Sequence, residues 1–229
     1  MHLTLAEKLL LIATNDEKGS LLMAGSTAIP YGLAGALLLD LHFEKRFTWR
    51  EKLISVIDST ATGDPLTDEA LEMISAAPKE KHARYWVSRI ARKIKKIDAR
   101  VFATLVEKGI LSKVDKHFLW VIPYSRYPER DPQPERLVRD QLYDAIRGRI
   151  VPDDRLLALL SLVNACGLLN EIIPNGERRE AKKAVKALLS NERIGTAVKA
   201  VVDEINAAVV AAIVAATAAS SAASSAASS

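Results

Sequence analysis

The sequence holds a single cysteine, Cys166, among 229 residues. An intramolecular disulfide is therefore excluded, and a reducing compartment is expected. Cys166 lies in an apolar run, where a thiol is a small buried hydrophobe rather than a nucleophile. Histidine is scarce and scattered: none of His2, His42, His82 and His117 stands at metal-ligand spacing to another. G-x-S-x-G, G-x-x-x-x-G-K-[ST] and G-x-G-x-x-G are all missing, which removes the nucleophile elbow and both phosphate-binding loops. The start, MHLTLAEKLL, lacks the basic stretch and small-residue cleavage site of a secretory leader, so none is expected. The one carboxylate pair of interest, Asp153 and Asp154, is explained by helix capping. No catalytic constellation, metal site or cofactor is expected, and the chain reads as a non-enzyme.

Aromatic residues make up only 5%, so aliphatic side chains must fill the core. With 49% hydrophobic and 26% charged residues the composition is that of a soluble globular protein. The richest stretch is Asp154–Ile173, DRLLALLSLVNACGLLNEII. Its apolar residues cover nearly every side of a 3.6-residue helix, which predicts a helix buried all round. Pro152 and the two aspartates suit its start, and Pro174-Asn175-Gly176 its end. The fold class expected is mainly α: a single globular helical domain around this central helix, with short peripheral β-hairpins.

Elsewhere, Thr4-Leu5-Ala6-Glu7 is a capping-box pattern that opens a helix. A second apolar helix over 29–45 carries Gly32 and Gly35, which imply close approach of a neighbouring element. Residues 47–57 read as a β-pair, 68–76 as a helix, and 82–108 as two helical patterns closed by Gly109. Residues 110–122 read as a hairpin about a charged turn at 113–116. Residues 136–147 form an amphipathic helix with Leu137, Leu142 and Ile146 inward. Further helices are expected near 178–190 and 195–216. The domain is taken as 1–215. Residues 216–229 are Ala and Ser alone, a low-complexity tail expected to be disordered or a frayed helix.

Basic residues supply the remaining chemistry. The formal charge is +4 and the pI about 9.1, too modest to demand nucleic acid. One cluster spans 84–100. The other is Arg126, Arg130, Arg136 and Arg139, with Arg136 and Arg139 one turn apart at a helix start. Guanidinium groups near Tyr127 and helix amides suit a phosphorylated headgroup. A solvated charged face is the plainer reading of the same spacing.

The segments LTLAEKLLLIA (3–13), GLAGALLLDL (32–41), TGDPLTDEAL (62–71), LVEKGIL (105–111), RLLALLSLVNACGLL (155–169) and AAVVAAI (207–213) resemble, in order, the Golgi phosphoprotein 3 family. The resemblance implies one mostly helical domain that binds phosphatidylinositol 4-phosphate at Golgi membranes, links membrane enzymes to trafficking, and has no catalytic activity. It implies a lipid headgroup site at Arg136 and Arg139, with Arg126 and Arg130 beside it. The family's pocket tryptophan region reads Met23-Ala24-Gly25 here, and its pocket arginine reads Ala34, which leaves the headgroup open. The family's bilayer-dipping hairpin would fall at 146–155, where Ile150 and Val151 form the apolar tip between arginines. A bacterial or divergent member is expected: cytoplasmic, peripherally membrane-associated, binding an anionic phospholipid or phosphoinositide surface. Cytosolic segments of membrane proteins and a second copy of the chain are further candidate partners, and nucleic acid is disfavoured. The competing reading is a protein–protein adaptor that has lost specific lipid binding.

Overall fold

The computed structural model describes residues 2–15, 18–22, 26–118, 122–190 and 196–226. Its elements are α1 (Leu5–Ile12), the pair β1 (Thr14–Asn15) and β2 (Ser20–Leu21), α2 (Ile29–Phe43), β3 (Phe47–Arg50), β4 (Leu53–Val56), α3 (Pro65–Ser75), β5 (Lys81–His82), α4 (Ala83–Lys93), α5 (Ile97–Glu107), β6 (Val114–Phe118), β7 (Ile122–Arg126), α6 (Gln133–Ile146), α7 (Asp154–Ala165), α8 (Leu169–Ile172), α9 (Arg178–Ser190) and α10 (Thr196–Ala226). The protein is mainly α-helical with small antiparallel sheets, β1-β2, β3-β4-β5 and β6-β7.

Helix α2 runs through the core. Every residue from Gly32 to Leu41 is buried, and α1, α4, α7 and α10 all pack on it. Its two glycines let neighbours come close, as the sequence implied. A Cβ on Gly32 would lie 2.4 Å from Cys166 Sγ, and one on Gly35 would lie 2.6 Å from Val209 Cγ2. Helix α10 supplies that second neighbour. By length and composition its Val198–Ser221 segment could cross a bilayer, yet Val201, Val202, Ile205, Ala208, Val209 and Ala212 are buried in the core. Beyond them it runs on, exposed, into the Ala/Ser segment.

The apolar run that opens at Asp154 is one helix and a short second one. Helix α7 ends at Ala165 because Gly167 adopts φ +73, while its N–H donates to Asn164 O and that of Leu168 to Val163 O. This is a glycine-closed helix end, which an unbroken apolar pattern hides. On α6 the inward set is Val138, Leu142, Ala145 and Ile146 with Glu135, whereas Leu137 is 59% exposed, against expectation. Leu137 and Val138 differ by 100° of helical phase, and Val138 meets the core. The charged residues expected in a turn at 113–116 lie instead largely within β6, which pairs with β7 from Val114↔Arg126 to Phe118↔Ile122.

Candidate functional site

Helix α6 carries two arginines in different settings. Arg139 is held: its guanidinium pairs with the buried Glu135 carboxylate one turn earlier, and Nη1 donates to Glu171 O on α8 at 2.6 Å. Arg136 is exposed and lines a groove of about 650 Å³ with Leu3, Lys8, Leu137 and Gln141. Arg126 ends β7, half-buried, and Arg130 is exposed in the connection to α6, where its N–H donates to Ile110 O at 2.9 Å. The four arginines thus follow one another along the path from β7 into α6. Tyr127 stacks on Phe102, with ring centroids 4.2 Å apart, so its ring is committed to packing. Ala34 is buried in α2, and the Met23-Ala24-Gly25 position lies outside the described residues.

The apolar tip sits at the other end of α6. Gly148 at φ +69 closes that helix, its N–H donating to Ala145 O and that of Arg149 to Asp144 O. Ile150 and Val151 follow, 39% and 96% exposed. Arg147 pairs with Glu177 at 3.5 Å and Arg149 with Asp144 at 3.0 Å, so acids hold both flanking cations. Arg136 and the tip are separated by ten residues of helix, about 15 Å along its axis.

A polar cavity of about 500 Å³ went unforeseen in the sequence; Thr4, Glu7, Asp40, Asp64, Lys108 and Arg155 are among its walls. Asp40, 5% exposed, accepts the Leu5 N–H at 3.0 Å and lies 3.6 Å from Arg155. Burial pushes its carboxyl up to about 7, against the opposing pull of the Leu5 N–H and Arg155. Glu7 completes the capping box on Thr4 and pairs with Lys108 at 2.6 Å. Arg155 also lies over the Phe43 ring, 4.7 Å from its centroid. The sign of this cluster was present as one acid inside the apolar LLLDL of α2, which an apolar-period reading passes over. Cys166 is buried, and its thiol is pushed up to about 12, which makes it inert. Among the described residues no group of three or more His, Cys, Asp or Glu side chains is placed to hold a metal ion.

Fold and surfaces together define a mainly helical domain whose polar chemistry gathers at helix ends. The sequence profile described as Golgi phosphoprotein 3 (GPP34) matches residues 5–205, and the chain belongs to that family. Vacuolar protein sorting-associated protein 74 of Schizosaccharomyces pombe is 26% identical over 173 residues, 67% of this chain and 51% of that protein. Its namesake in Eremothecium gossypii is 28% identical over 137 residues, 51% of this chain and 41% of that protein. The chain therefore spans about half the length of the curated relatives it matches.

Proposed function

We propose that this protein is a non-enzymatic, cytoplasmic, peripheral membrane protein that binds anionic phospholipid headgroups. The observation that carries the reading is the solvent-held apolar tip, Ile150-Val151, projecting from a glycine-closed helix end just after Arg147 and Arg149. Exposing a fully solvated valine beside arginines gains nothing for folding, and it suits shallow insertion among headgroups. Membership of the Golgi phosphoprotein 3 family supports the same reading. Within the proposed headgroup site, Arg130 and Arg136 are the exposed cations, Arg126 is half-buried, and Arg139 is fixed on Glu135 and supports the helix. The test is sedimentation with phosphatidylcholine vesicles carrying increasing phosphatidylserine or phosphatidylinositol 4-phosphate. Binding should rise with anionic content, and equal recovery in the supernatant at every composition would refute the reading.

A second reading, a protein–protein adaptor, is favoured by the groove beside Arg136, where Leu137 is exposed next to Leu3 and Pro134. Its ligand would be an extended, partly apolar cytosolic segment of a membrane protein. A partner retained from lysate by Arg136→Ala and lost by Leu137→Asp would favour this reading over lipid binding.

A further inference from the structure

Positive charge in this chain is concentrated in one place that the family resemblance did not point to. Residues 79–97 carry eight lysines and arginines against one acid, Glu80. Their net +7 exceeds the whole chain's +4, so the remaining residues together sum to −3. Most of this segment is α4 and the turn after it. The apolar face of α4, Ala83, Trp86, Val87 and Ile90, is buried in the core. Arg84, Arg89, Arg92, Lys93, Lys95 and Lys96 are exposed. Among the described residues none of these six has an ion pair, whereas Arg46, Arg100, Lys108, Arg139 and Arg155 each face a carboxylate. Arg89 donates to Tyr85 Oη at 3.1 Å and Arg92 to Ser88 O at 2.9 Å, contacts that leave both charges uncompensated.

We propose that the outer face of α4 is an electrostatic docking surface for an anionic bilayer, a contact separate from the α6 arginines and resting on the membrane reading above. The face is a convex helix about 16 Å long, so it recognises the charge density of a surface rather than one headgroup. Because its apolar side is in the core, α4 cannot insert, and its contact is charge alone with one addition. Tyr85 is 41% exposed at the helix start, where an amphipathic ring suits the interface. An amphipathic ring at the edge of an uncompensated basic face favours a bilayer over a nucleic acid backbone, which rewards charge without it.

The experiment compares the full chain with R84Q/R89Q/R92Q on phosphatidylcholine–phosphatidylserine vesicles across a salt series. At about fivefold per Lys or Arg near the surface, the triple variant should lose on the order of a hundredfold in partitioning at low salt. Its remaining binding should depend less on salt, while V151D should weaken binding and keep the salt dependence of the parent. If the triple variant melts early, R84Q alone should still show about a fivefold loss, since Arg84 has no side-chain partner among the described residues. Undiminished binding by folded variants overturns this proposal and leaves the membrane reading intact. Failure of the parent to bind phosphatidylserine vesicles overturns both. Tighter binding of a mixed-sequence DNA duplex than of vesicles, lost in the same variant, assigns the face to nucleic acid and overturns the proposal.

Discussion

Gly32 on α2 and Cys166 at the end of α7 are in such close apposition that a Cβ on the glycine would lie 2.4 Å from the sulfur. The second near atom, Leu9 Cδ2 at 3.0 Å, belongs to α1, so three helices converge on this point.

Gly32→Ala should therefore destabilise the fold, although alanine is the better helix former. Overpacking of this kind costs about 1–3 kcal/mol, or several degrees of Tm in a domain of this size. Adding Cys166→Ala removes the sulfur and should recover most of the loss. Thermal unfolding of the two single variants and the double variant closes the cycle. Simple additivity of the two changes would show that the clash is relieved elsewhere.

Arg136 and Arg139, alike in the sequence, should separate in stability. Arg136→Ala should stay within about 0.5 kcal/mol of the parent, as exposed substitutions do. Arg139→Ala leaves Glu135, 3% exposed, with a buried carboxylate deprived of its guanidinium. The expected cost is about 2 kcal/mol, reduced because Arg139 itself is partly solvated. Glu135→Gln in the same chain should restore part of it. Urea unfolding measures all three, and equal stability of the two alanine variants would remove the structural role given to Arg139.

That separation marks how far the sequence could be read. Helical period and caps were legible: the capping box at Thr4 and Glu7, the closing glycine at 109, and the glycines of α2 all stand where their chemistry put them. Phase along α6 was not, because Leu137 and Val138 are both apolar and only packing chooses between them. Nor was the end of α7, where Gly167 reads as one more small residue until its φ is known. Long-range pairing was the larger gap. Asp40 with Leu5, Lys108 with Glu7 and Arg155 with Phe43 join segments 35 to 112 residues apart, and no local spacing encodes them. The arginines proposed for lipid were visible as residues, but whether each faces water or a carboxylate is set by that same tertiary pairing.

The tip should be separable from folding. Val151 is 96% exposed, so Val151→Asp should leave Tm unchanged within error. Vesicle binding should fall, since the substitution removes an apolar contact and adds a charge repelled by anionic lipid. Val151→Leu, which enlarges the apolar tip, should bind at least as well as the parent. Sedimentation of the three proteins under identical conditions decides it, and equal binding by all three would take the loop out of the membrane contact.

Asp40 gives the chain a distinctive response to pH. Its carboxyl is raised to about 7 in the fold by burial, against about 3.9 for an unfolded aspartate. The folded state therefore holds a proton that the unfolded state has lost throughout that interval. Stability from this group is fully present below about pH 4, and it is lost as pH rises through about 7. The difference across the window is on the order of a few kcal/mol. Asp40→Asn keeps an oxygen for the Leu5 N–H and cannot ionise. Its stability should consequently fall less than the parent's between those limits, with the two proteins diverging as pH rises. The Arg155 guanidinium opposes the shift by favouring the charged form, so Arg155→Gln should steepen the parent's decline. Urea unfolding of the three proteins at stepped pH reads these slopes directly. Parallel curves for the parent and Asp40→Asn would show that Asp40 is already ionised in the fold, its burial cost met by the Leu5 amide and Arg155.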